Sequence, residues 1–217
     1  PENDWQYHNF RDCSTANYLP AVNELASRGY PAIRMGANVK EGLNSSNPLV
    51  IDYAKQGRTD FLDVYLSAKC RFFLTSGTGI DSVATIFQRP VACANHLPLG
   101  YSHTWGPNDL FIPKKLWLRA EDRFLRYQEA IDLGAWVLNR GEKYDELGLD
   151  VIENTPEAIT ALAIEMDERL KGTWITTEED EELQQRHWDL FRLNEKQMQY
   201  LPRIGAHFLR ENRNLLD

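Results

Sequence analysis

Four residues set between two apolar runs, Ser76-Gly77-Thr78-Gly79 in RFFLTSGTGIDSVATIFQ, carry the clearest chemistry in the sequence. Where a strand turns directly into a helix, the first helical amides lack partners and carry the positive end of the helix dipole. Glycines at 77 and 79 would let a phosphate approach the backbone, and the hydroxyls of Ser76 and Thr78 add donors. A plainer reading stands beside this one. Thr78 and Asp81 fit a capping box, which starts a helix without any ligand. The stretch is neither a Walker loop nor a complete GxGxxG, because Ser82 occupies the position of the third glycine.

Other polar residues fall where apolar runs end. Arg34, followed by Gly36 in AIRMG, suits bidentate phosphate binding, or an ordinary surface ion pair. Asp52 and Tyr53 end the next run; Asp52 accepts ribose or sugar hydroxyls, or caps the following turn. Asn95 and His96 end a fourth. His8 and Arg11, in HNFRD, either reach the same mouth or belong to a terminal loop. Asp60 and Asp63 read as caps of their own helix, and His187 and His207 as surface or packing residues. No HExxH or GxSxG is present, and the three cysteines (Cys13, Cys70, Cys93) form no CxxC. Reduced thiols in a cytoplasmic protein are the expectation, with no metal.

The elements that must position these residues alternate. STANYLPAVNELASRG spaces Tyr18, Leu19, Val22, Leu25 and Ala26 at helical intervals and stops at Gly29. YPAIRMG and LVIDYA read as strands, and TDFLDVYLSAK as a helix with Phe61, Leu62, Tyr65 and Leu66 on one face. RFFLTS, TGIDSVATIFQ and PVACAN follow as strand, helix and strand. This alternation predicts an α/β fold: a Rossmann-like parallel sheet with right-handed crossovers and helices on both faces, over residues 1–120. Ligands of such sheets bind beyond the carboxyl ends of the strands, where Arg34, Gly36, Asp52, Tyr53, Ser76–Gly79 and Asn95 all fall. Residues 121–217 read as a mainly helical extension packed on that domain, with helices in AEDRFLRYQEAIDLG, TPEAITALAIEMDERLKG and TTEEDEELQQRHWDLFRLNEKQ.

Charge divides the same way. Residues 1–120 carry 12 Lys and Arg against 10 Asp and Glu, and residues 121–217 carry 12 against 22. The front therefore suits a small anion, while the acidic tail reads as a solvated face. A net charge of −8 argues against nucleic acid as a partner. No apolar run approaches the roughly 18 residues of a membrane span, and PENDWQYHNF lacks the pattern of a signal peptide. The start at Pro1 suggests a piece of a longer polypeptide.

Taken in order, IRMG, VIDYA, TDFLDVYLSAKCRFFLTSGTG, FQRPVACAN and the closing GAHFLRENRNLL resemble a bacterial family classed as glycosyltransferases of surface-polysaccharide assembly. The resemblance covers roughly residues 8–118 and the last dozen, and is most specific from Asp60 to Asn95. More distantly, strand, SGTG, helix and RPV resemble the donor-binding, C-terminal half of GT-B glycosyltransferases. The resemblance implies a nucleotide-sugar donor with Ser76, Gly77, Thr78 and Gly79 against its pyrophosphate. Arg34 would neutralise the leaving diphosphate, and Asp52, Tyr53 or Asn95 would line the base or sugar. It implies a glycan or other acceptor and no obligatory metal, in keeping with the absence of DxD. Such families carry a preceding domain with a basic histidine–arginine segment that this sequence lacks, so no catalytic base is assigned. Two other expectations remain open: a non-catalytic nucleotide- or sugar-binding regulatory or scaffolding domain, and a structural domain whose acidic helices dock on a partner.

Overall fold

The computed structural model describes residues 6–37, 39, 42–101, 106–192 and 200–217. Helix α1 (Leu19–Ser27) has Pro20 in its first turn, where a missing amide costs nothing, and buries Ala21, Leu25 and Ala26. Strands β1 (Ala32–Ile33) and β2 (Val50–Ile51) follow and pair in parallel, Ala32 opposite Val50. Helix α2 (Asp60–Lys69) is capped by Thr59, whose Oγ1 accepts the Leu62 amide at 3.2 Å. Its buried positions are the small residues Ser67 and Ala68. That close approach turns Phe61 and Tyr65 outward, 73% and 48% exposed and stacked at 5.9 Å. The apolar face expected to point inward is thus split between solvent and sheet.

Strand β3 (Phe73–Thr75), helix α3 (Asp81–Ile86), strand β4 (Val91–His96) and strand β5 (Leu110–Pro113) come next. All four residues of β5 are buried, as expected of a parallel strand covered on both faces. With β9 (Arg203–Ile204), added below, they form a parallel sheet ordered β3-β4-β5-β9. The mixed α/β architecture with helices flanking a parallel sheet, expected from the alternation, is present.

Between β5 and β9 the chain departs from that expectation. Residues 121–134 are not one helix. Strands β6 (Lys115–Leu118) and β7 (Arg123–Phe124) form an antiparallel hairpin, with Asp122 in the left-handed region at φ 52°. Helix α4 (Tyr127–Asp132) starts only afterwards. A carboxylate bridges the two segments: Glu129 accepts both guanidinium ends of Arg123 at 2.8 Å and the Arg126 amide at 2.8 Å. Helix α5 (Gly141–Glu146) leads to strand β8 (Leu149–Ile152), which pairs antiparallel with β6 and completes a second sheet, β7-β6-β8.

Helix α6 (Pro156–Lys171) runs from a Thr155 cap to Gly172 in the left-handed region. It buries Ile159, Leu162, Ala163 and Met166 at helical spacing against α1, β4 and β5. Each large side chain on that face contributes roughly 2 kcal/mol of burial. Helix α7 (Glu178–Leu190), β9 and helix α8 (Ala206–Glu211) close the chain.

Several acids of this part are not solvated. Asp167, fully buried, pairs with Lys171 at 2.7 Å and Arg28 at 3.3 Å, joining α6 to the end of α1. Asp180 pairs with Arg210 at 2.6 Å, and Glu165 accepts the Ala206 amide at 2.7 Å. The stretch 121–217 therefore supplies a strand to the parallel sheet and the charges that tie it on. Among the described residues, no helix is long and apolar enough to cross a membrane.

Candidate functional site

Strands β1 and β3 are edges of different sheets, and a cavity of about 520 Å³ separates them. Tyr30 to Met35 wall one side and Phe72 to Ser76 the other. Val22 and Leu25 of α1, which packs on α6, and Leu66 of α2, which packs on α3, also line it. Across this gap the strand sequence runs β2-β1, then β3-β4-β5, so the cavity lies where the order reverses. That reversal leaves room outside the carboxyl ends of two diverging strands, the place where open parallel sheets take ligands.

Arg34 follows β1 and Ser76 and Thr78 follow β3; all three line the cavity. The Arg34 guanidinium pairs with Asp52 at 3.3 Å, and Asp52 Oδ2 also accepts the Leu43 amide at 2.7 Å. Asp52 Oδ1 is buried and has no hydrogen-bond partner. Gly36 has φ 149°, and a side chain there would meet Val39 at 2.8 Å. Of these residues Arg34 lines the cavity, and Asp52 is tied to it through Arg34.

The Ser76–Gly79 loop differs from both readings offered by its sequence. Thr75 Oγ1, not Thr78, organises it, accepting the amides of Gly77 at 3.1 Å and Thr78 at 3.4 Å and donating to Asp81 Oδ2 at 3.2 Å. Two of the amides expected to cradle a phosphate, those of Gly77 and Thr78, are thus turned onto a neighbouring hydroxyl. Burial pushes the Asp81 carboxyl up; the Thr75 hydrogen bond and the nearby Arg11 charge oppose it. What remains presented is the Ser76 hydroxyl, the Thr78 hydroxyl, which lies 3.4 Å from Thr75 Oγ1, and the backbone at Gly79, where a side chain would meet nothing within 4 Å. Gly77 is different: its φ is 79°, and its carbonyl accepts from Arg11.

Arg11 therefore touches this loop, although it is not among the residues that line the cavity. His8 does not line it either; it packs between Tyr7 and Phe10, at ring distances of 4.0 and 6.0 Å. Tyr53 is also elsewhere, buried with its hydroxyl accepting the Thr59 amide at 2.9 Å beside the Thr59 carbonyl and Asp63, where it braces the start of α2. Asn95, 1% exposed and left-handed at φ 58°, spends its polar atoms on Asn154 and Tyr18.

Sequence reading missed the groups that shape the site. The segment Phe10–Tyr18 crosses the carboxyl ends of β3, β4 and β5, pinned by Arg11 on Gly77, Tyr18 on Asn95 and Lys114 on the Phe10 and Asp12 carbonyls. Lys114 is 2% exposed, and burial lowers its pKa. The crevice beyond β4 and β5 is thus covered, and the opening lies at β1 and β3. A lysine directly after the fully apolar run LFIP was the available signal. Thr75, six residues before Asp81 and just ahead of the two glycines, was another. Among the described residues, no cluster of three His, Cys, Asp or Glu is placed to hold a metal ion.

No protein-family model, curated protein or solved structure matches this chain.

Proposed function

We propose that the chain is the donor-binding part of a GT-B-type glycosyltransferase, which transfers a sugar from a nucleotide-sugar to a glycan or other acceptor. The observation that carries this reading is the cavity at the reversal of strand order, with Arg34, Ser76 and Thr78 converging at its mouth from two different strands. A diphosphate there meets one guanidinium and two hydroxyls, and the charge that grows on it as the glycosidic bond breaks is the charge those groups stabilise. Asp52 holds the guanidinium in place, and its unpartnered Oδ1 is the acceptor left for a ribose or sugar hydroxyl. The resemblance of residues 60–95 to that family supports the same reading. No metal is needed for this stabilisation, and the setting is cytoplasmic. The acceptor site and catalytic base come from a second α/β half, so transfer requires a polypeptide that carries it.

Calorimetric titration with UDP, GDP, CMP and their sugar conjugates tests the reading. One nucleotide should bind saturably, and both Arg34→Ala and Gly79→Val should weaken it at least tenfold while the fold persists. Gly79→Val is informative because the position is open, so added bulk obstructs the ligand and not the core. Absence of binding by every nucleotide, in this chain and in a two-half polypeptide alike, contradicts the proposal. Turnover with an acceptor in the two-half polypeptide separates an enzyme from a binding module.

A further inference from the structure

The gap between β1 and β3 lacks something a sheet normally has. In β1, the Ala32 and Arg34 amides donate to Leu49 and Ile51 at 2.8 and 2.9 Å, so both point at β2. Alternation along a strand then turns the peptide groups of Ile33 the other way, into the cavity. In β3 the Phe73 amide donates to the Pro90 carbonyl at 2.8 Å, toward β4, which turns those of Leu74 into the cavity from the opposite side. Two strand edges, each offering an N–H and a C=O, therefore face one another across a slot that the apolar side chains of Val22 and Leu66 also line. An apolar ligand would leave those backbone groups unsatisfied, at a cost of about 1–3 kcal/mol each. A flat ring with donors and acceptors on its rim and bare faces fits both demands.

We propose that this slot reads the nucleobase. The ring lies in the plane of the sheet, with hydrogen-bonding groups on opposite edges meeting the peptide groups of Ile33 on one side and Leu74 on the other, and its faces on Val22 and Leu66. This rests on the reading above, since the diphosphate of the same ligand then falls at Arg34, Ser76 and Thr78, at the carboxyl end of both strands. Base choice is made by backbone, so no side chain at the slot needs to be polar. Val22, Leu25, Leu66 and Leu74, all on the cavity wall, suit the bare faces of such a ring.

The test compares inorganic pyrophosphate, UDP, GDP and CDP as ligands of the unmodified chain, then repeats the preferred one with its base N-methylated on the Watson–Crick edge. One nucleoside diphosphate should bind at least tenfold tighter than pyrophosphate, and methylation should remove that advantage. Val22→Trp and Leu66→Trp fill the slot from α1 and from α2. Each should bring the nucleotide down to the affinity of pyrophosphate and leave pyrophosphate unchanged. Pyrophosphate and all nucleotides binding equally, or an advantage that survives methylation, overturns the slot while leaving the diphosphate site standing. Binding by none of them, in this chain and in a two-half polypeptide alike, overturns the functional reading, and the slot with it.

Discussion

Asn95 and Asn154 exchange hydrogen bonds between side chain and backbone in both directions: the Asn95 amide donates to Asn154 Oδ1 at 2.6 Å, and the Asn154 amide to Asn95 Oδ1 at 2.7 Å. Asn154 Nδ2 also donates to the Pro113 carbonyl at 2.8 Å, so one side chain joins the ends of β4, β5 and β8. Both residues are buried. The pair locks the antiparallel sheet to the parallel one, and it removes Asn95 from the groups available to a ligand.

Asn154→Ala should therefore be costly for stability and neutral for binding. It orphans the buried Asn95 amide and Pro113 carbonyl, at about 1–3 kcal/mol each, so denaturant unfolding should show a loss of about 3 kcal/mol. Nucleotide affinity of the folded fraction should stay within twofold. A large loss of affinity at unchanged stability would return Asn95 to the site.

The two loop glycines should respond unequally. Gly77 lies in the left-handed region with Arg11 Nη2 only 3.4 Å from where a Cβ would sit, whereas Gly79 has open space. Gly77→Ala should destabilise by about 1–2 kcal/mol, and Gly79→Ala by less than about 0.5 kcal/mol. Equal costs in chemical unfolding would mean that the loop adopts a different backbone.

Lys114 should act as a pin on the segment that crosses the crevice. Lys114→Met keeps the stem and removes the donors to Phe10 and Asp12. Proteolysis or amide exchange within residues 6–18 should speed up at least tenfold, with exchange in β4 and β5 unaltered. Uniform acceleration across the sheet would show that the lysine supports the core instead.

His187 sets a limit on acid stability. Its ring is buried beside Phe111, Tyr127 and Phe191, neither nitrogen has a hydrogen-bond partner, and burial lowers its pKa to about 3. Unfolded, the imidazole takes its proton near pH 6.5. Between those values the unfolded state binds more protons, so stability falls as pH drops through that window, by at most about 1.4 kcal/mol per pH unit, and is insensitive to this group above it. His187→Leu should flatten that slope by up to one proton in pH-dependent unfolding. An unchanged slope would show that the ring is solvated.

The alternation of helix and strand up to His96 was legible because each element there has its own period and its own stop. TDFLDVYLSAK carries a threonine cap, and PVACAN is a continuous apolar run. The β6–β7 hairpin was not, since RFLRYQEAID also spaces apolar residues at helical intervals; pairing with β6, itself paired with the distant β8, draws Arg123 and Phe124 into a sheet, and long-range pairing leaves no periodic trace. Strand β9 is two residues long and exists only because β5 offers an edge. At the site, the residue types at strand ends were readable and their partners were not. Arg34 and Asp52 are 18 residues apart yet paired, and Thr75 takes up the Gly77 and Thr78 amides, which the glycine pattern leaves open.

The most direct test of the account is amide hydrogen exchange with and without a saturating nucleoside diphosphate. Protection confined to Ile33–Met35 and Leu74–Thr78, on both sides of the cavity, is the predicted result. Protection elsewhere, or none at saturation, would contradict a ligand site between β1 and β3.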